Sequence, residues 1–86
     1  MQLRLGANRR NQMTLDQIEP GGHGTVTEIT GEDSLSTRIM EMGVTPGCPF
    51  AVIGTAPLGD PIEIEVRGYR LSLRKSEAAR ISVVID

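Results

Sequence analysis

The sequence predicts a mainly β domain in which short strands and one inserted helix form a compact, strongly bent barrel. Three observations lead there. Residues 61–75 alternate apolar and polar side chains about a central glycine, the pattern of a tight hairpin. Residues 35–42 carry apolar side chains at helical spacing and are stopped by Gly43 and Pro46. Turn-forming residues cut most of the remaining chain into strand-length pieces rich in Val, Ile and Thr.

The chain has 86 residues, enough for one domain and one small core. It has one Phe, one Tyr and no Trp, so Ile, Leu, Val and Met must fill that core. A net charge of −2 gives no nucleic-acid signature. Its single cysteine, Cys48, cannot form an internal disulfide, which fits a reducing compartment. No apolar run is long enough to span a membrane, and no apolar stretch of a secretory signal follows Arg4. The expectation is a cytoplasmic protein.

Residues 1–12 are polar and basic and stand apart as an N-terminal extension; the domain is expected over 13–86. Within the extension, the alternation Leu3-Arg4-Leu5 suits a strand that adds to a sheet edge. "TLDQI" reads as a short helical turn, with Thr14 and Gln17 in capping-box spacing. "EPGGHG" forces a turn. A strand follows over 24–30, but Val26 and Ile29 have opposite parity, which a β-bulge would repair.

Asp33 or Ser34 caps the helix. Leu35, Ile39 and Met42 then fall at i, i+4 and i+7 and form one buried stripe. Gly43 suits a left-handed residue past the helix end, since it has no Cβ to clash, and Val44 can pack back on Ile39. Pro46 prevents continuation, and a strand runs over 49–55. After the loop "APLGDP", a two-residue Arg67-Gly68 turn sets Val66 opposite Tyr69, Ile64 opposite Leu71 and Ile62 opposite Leu73. It also sets Glu65 opposite Arg70. "SEAA" is a single helical turn with Ser76 as its cap, and "RISVVI" is the last strand. The count is five strands, with barrel closure removing exposed edges.

Little in the sequence carries catalytic chemistry, and no enzyme is expected. His23 is the only histidine, and neither it nor Cys48 sits in a nucleophile motif. "EPGGHG" lacks the lysine of a phosphate loop. No pair has metal-ligand spacing, so no metal site and no cofactor are assigned. His23 reads as an exposed turn residue and Cys48 as a small strand-edge hydrophobe. Arg67, Arg70, Arg74 and Lys75 crowd the hairpin; acidic Glu63 and Glu65 across the register make this a solvated face, not a nucleic-acid patch. Met40 falls off the buried stripe beside Arg38, which makes it a protein-docking candidate, since methionine adapts to partner surfaces.

Taken in order, a strand, "RIMEMGVTPG", a strand and "GDPIEIEVRGYRLSLRKSEAARISV" resemble the ferrous iron transport protein A (FeoA) family. Arg38, Gly43, Pro46, Gly47, Asp60, Pro61, Gly68, Arg74 and Glu77 match that family's pattern. Ile39 and Met42 stand where it most often has leucine. The resemblance covers about residues 13–84 and implies an SH3-like small β-barrel with one inserted helix. It implies a cytosolic, non-enzymatic partner of the FeoB-type ferrous iron transporter, peripheral to the membrane through that partner only. The candidate partner-binding residues are Arg38, Met40, Met42, Gly43, Pro46 and Gly47. Met40→Asp and Arg38→Glu are expected to weaken docking and leave the fold intact. A repressor-like barrel acting through protein contacts in transcription control is the alternative, and self-association is open to a short barrel with an unpaired strand. Arginine-finger assistance of the transporter's GTPase by Arg38 or Arg67 is a third reading.

Overall fold

The computed structural model describes residues 12–86. Six strands form one antiparallel sheet: β1 (Gln12–Thr14), β2 (His23–Ile29), β3 (Pro49–Thr55), β4 (Ile62–Val66), β5 (Tyr69–Leu73) and β6 (Ile81–Ile85). Their order is β1-β6-β2-β3-β4-β5. Helix α1 (Ser34–Glu41) joins β2 to β3, and a four-residue helix, α2 (Lys75–Ala78), joins β5 to β6. The strand missing from the expected count is β1, which pairs with β6 from Gln12↔Val84 to Thr14↔Ser82. Three residues offer no alternation to detect, so only the partner strand defines it. The strand suggested at Leu3-Arg4-Leu5 lies outside the described residues.

The hairpin forms in the expected register: Val66↔Tyr69, Glu65↔Arg70, Ile64↔Leu71 and Ile62↔Leu73. Arg67 at φ 51° and Gly68 at φ 87° make a turn whose twist matches the strands. Ile62, Ile64, Val66 and Leu73 are buried, while Tyr69 and Leu71 are covered only in part. The parity conflict in β2 is resolved by a bulge between Val26 and Glu28. A second register shift, between Val52 and Gly54, bends β3. These bends wrap the sheet round a core of Leu15, Val26, Ile39, Val44, Phe50, Val52, Ile64, Leu73, Ile81 and Val83. Cys48 belongs to that core too, 2% exposed, rather than to a strand edge.

Two expectations need correction. Ser76 does not cap α2; Arg74 does. The orphan amides at this helix start already have better acceptors: Glu77 Oε1 takes Arg74 N–H at 2.8 Å and Asp60 Oδ1 takes Lys75 N–H at 2.9 Å. The sheet also keeps its edges. Among the described residues β5 pairs with β4 alone, so β1 and β5 are not joined into a closed ladder.

Candidate partner-docking site

Helix α1 forms where the sequence places it. Asp33 is its N-cap, with Oδ1 accepting from Ser36 N–H at 3.2 Å. Ile39 is fully buried, and Leu35 and Met42 are partly buried against the core. The helix ends in Gly43 at φ 100°, whose N–H donates to Met40 O at 3.0 Å. Val44, fully buried, turns back so that its N–H meets Ile39 O. Thr45-Pro46-Gly47-Cys48 is a tight turn closed by Cys48 N–H on Thr45 O at 3.1 Å, with Gly47 at φ 93°. Gly47 N–H then donates to Val26 O at 2.7 Å, tying the elbow to β2.

Contacts from distant sequence hold this helix at three places. At its start, Arg80 Nη1 donates to Asp33 Oδ1 at 2.7 Å. That guanidinium bond, with the Ser36 amide behind it, holds the Asp33 carboxyl below the ordinary carboxylate value. In its middle, Arg38 Nη2 donates to Glu77 Oε2 at 3.3 Å; the arginine side chain is 66% exposed and the glutamate 6%. At its end the β4–β5 hairpin reaches across. Tyr69 Oη donates to Met42 O, Arg67 Nε to Gly43 O at 3.0 Å, and Arg67 Nη2 to Thr45 Oγ1 at 2.7 Å. Cation and hydroxyl thus satisfy carbonyls that the helix end leaves without intrahelical donors.

The sequence-derived residues therefore divide. Met40 is 40% exposed, and Pro46 and Gly47 are exposed. Met42 and Gly43 are half-buried and take part chiefly through their carbonyls. Arg38 is exposed but engaged, so Arg38→Glu would set a second carboxylate against buried Glu77. The expectation that this substitution leaves the fold intact does not follow from the geometry. Arg67, read from sequence as part of a basic face or as an arginine finger, is instead bound to the elbow. Tyr69 was missed. Its place beside the turn was legible in the hairpin register, but what it touches across the fold was not.

Elsewhere on the described surface the polar groups are scattered. Among the described residues no three His, Cys, Asp or Glu side chains gather as a metal-holding group. His23 is exposed, and its Nδ1 lies 3.1 Å from Asp86 Oδ2. A surface groove of about 500 Å³, lined by Ile18, Pro20, His23 and Ile85 among others, takes no residue from α1 or the elbow. Among the described residues no helix is long and apolar enough to cross a membrane. What α1 and its elbow present is the half-exposed side chain of Met40 with exposed Arg38, Pro46 and Gly47 near it in sequence.

Comparison with known proteins bears on the family of the chain. The FeoA domain model matches residues 13–85. A Porphyromonas gingivalis Fe(2+) transport protein A/Fe(2+) transporter FeoB fusion protein is 34% identical over 71 residues. That is 83% of this chain but 8% of the fusion protein, so the chain corresponds to a small part of that relative. Among solved structures, a FeoA-like protein from Clostridium acetobutylicum is 40% identical with a TM-score of 0.82, covering 87% of each chain. FeoA of Stenotrophomonas maltophilia in complex with zinc, described as a prokaryotic SH3 domain protein, is 29% identical with a TM-score of 0.70. The match covers 86% of this chain and 89% of that one.

Proposed function

The chain belongs to the FeoA family, and on that premise we propose that it is an accessory protein of ferrous iron uptake which docks on a FeoB-type transporter and modulates it. The observation that carries this reading is the Porphyromonas gingivalis relative, in which the matching domain and FeoB share one chain. Covalent fusion keeps two modules at high effective concentration, which serves modules that work in contact. In this reading the protein is cytoplasmic and non-enzymatic, and it reaches the membrane only through its partner.

The contact surface is α1 with its elbow: Met40, Pro46 and Gly47 outermost, Arg38 beside them, and Met42 and Gly43 forming the bend. Rigidity supports the choice. A helix pinned at both ends and in its middle loses little further entropy on docking. Met40 is the apolar anchor. Its partial exposure leaves surface to bury, and no hydrogen bond depends on its side chain.

The experiment is a calorimetric titration of the purified transporter in detergent with wild-type protein and with Met40→Asp, and of the protein alone with ferrous iron. The wild type binds the transporter, and Met40→Asp weakens binding by about tenfold or more with unchanged thermal stability. Equal affinities for the two proteins would discard this surface. Iron binding by the free protein, with none to the transporter, would discard the function.

A further inference from the structure

β5 is the last strand of the sheet, and its outer edge is unpaired among the described residues. The turn before it holds two residues, so the flanking pair Val66↔Tyr69 is hydrogen-bonded and the pairs alternate from there. Glu65↔Arg70 and Glu63↔Ser72 are then the pairs that exchange no backbone bonds. The amides and carbonyls of Arg70 and Ser72 accordingly point away from β4. No backbone hydrogen bond from a described turn, loop or cap reaches either residue. The strand has five residues, with no proline and no bulge. It lacks the proline, bulge or extreme shortness that would close an exposed edge to every strand; its only blunting device is charge, Arg70 with Arg74 just past its end, which turns away basic strands and not acidic ones.

The side chains narrow what can pair there. Arg70 and Ser72 are exposed on the outer face, and Arg74 follows them just past the strand end. Neither arginine forms an ion pair among the described residues, although Glu65 lies across from Arg70. On the other face Tyr69 is 43% exposed and Leu71 partly buried. The Tyr69 hydroxyl is held by the Met42 carbonyl, which fixes the ring in place. A strand added here sets alternate residues beside Arg70 and Arg74, and the others beside Tyr69 and Leu71. Acidic residues at the first positions give Arg70 and Arg74 the carboxylate partners they lack, and apolar ones at the second cover the half-exposed surface. A second copy of this chain fits poorly, because two β5 edges bring four arginines onto one face.

We propose that the free edge of β5 is a strand-addition site for an extended segment of another protein in which apolar residues alternate with Asp or Glu. Main-chain bonds to Arg70 and Ser72 supply the affinity, and the arginines supply the selection against neutral and basic strands. The site goes beyond docking on α1 and is independent of the transporter's identity, because it is testable with a peptide alone.

The test is an NMR titration of the isotope-labelled full chain with the blocked peptide Val-Glu-Val-Thr-Val-Glu and its Lys-for-Glu counterpart. The acidic peptide shifts the Arg70 and Ser72 amides and slows their exchange with solvent, and the basic peptide binds about tenfold more weakly. Ser72→Pro removes one outward N–H and leaves the β4 ladder its bonds, so it lowers acidic-peptide affinity by about tenfold with the other hairpin shifts retained. Arg70→Glu reverses the preference between the peptides. Absence of acidic-peptide shifts at β5 at millimolar concentration overturns the proposal. So does undiminished binding by a folded Ser72→Pro, or concentration-dependent broadening of β5 without peptide, the mark of a second copy on the edge. If Ser72→Pro does not fold, Arg70→Glu decides, and an unchanged preference rejects the site.

Discussion

Gly43→Ala tests whether the elbow is held by the hairpin. Two costs can be worked from the structure. Gly43 sits at φ 100°, where an L side chain is strained by about 1–3 kcal/mol. An added Cβ would also collide with the Tyr69 hydroxyl, the atom that donates to the neighbouring Met42 carbonyl. Moving it away loses a hydrogen bond of about 1 kcal/mol. Against these, alanine restricts the unfolded chain and returns about 0.4–1 kcal/mol. The expected net loss is about 1–3.5 kcal/mol. Urea unfolding with a slope of about 1 kcal/mol per molar would show it as a midpoint lowered by roughly 1–3.5 M. Tyr69→Phe isolates the hydroxyl. The Phe variant by itself loses about 1 kcal/mol, and Gly43→Ala made on top of it costs about 1 kcal/mol less than in the wild type. The Cζ of residue 69 then remains 3.3 Å from the new Cβ, a tight distance that a small ring shift relieves. A loss below about 0.5 kcal/mol would refute the reasoning, because neither strain nor collision would then be real. Equal cost in both backgrounds would refute the part assigned to Tyr69.

Two further outcomes follow from the contacts that pin α1. Arg38→Glu lowers stability by about 1–3 kcal/mol in urea unfolding, because it leaves buried Glu77 facing a like charge, while Met40→Asp stays within about 0.5 kcal/mol of wild type. Equal effects of the two would deny the Arg38–Glu77 contact. The Asp33 carboxyl has a folded-state pKa below its unfolded value, so its contribution is full above the unfolded value of about 4 and lost as pH falls through the lower folded value. Asp33→Asn therefore removes part of the wild type's decline in stability below about pH 4 in thermal melts taken across that range. Parallel curves for the two proteins would place the decline elsewhere.

Much of this fold follows from chemistry between near neighbours in the chain. The Asp33 cap, the Gly43 stop and the Pro46 turn depend on residues a few positions apart, and α1 and β3 lie where those signals place them. The β4–β5 register depends on a two-residue turn and a period of two, so every cross-strand pair was readable. The bulge in β2 was legible as a conflict of parity. Family membership was legible as well, because these local signals occur in a characteristic order.

Tertiary structure alone decided what touches the candidate site. Arg67 meets Gly43 across 24 positions, Tyr69 meets Met42 across 27 and Arg38 meets Glu77 across 39. No periodicity or spacing encodes such pairs, because they arise only once the hairpin packs beside the helix. The same holds for Asp60 in place of Ser76 at the start of α2, and for β1, a strand only by virtue of β6. That β5 has one strand partner among the described residues is tertiary too: the sequence specifies a strand, but whether another lies beside it depends on how far the bent sheet closes. By itself the sequence determined α1 with its glycine stop, the strands marked by alternation and the hairpin register, since each is set by interactions within a few residues or along one ladder. The fold decided which polar groups those elements spend on one another and which stay open to a partner, because that depends on distances in space and not along the chain.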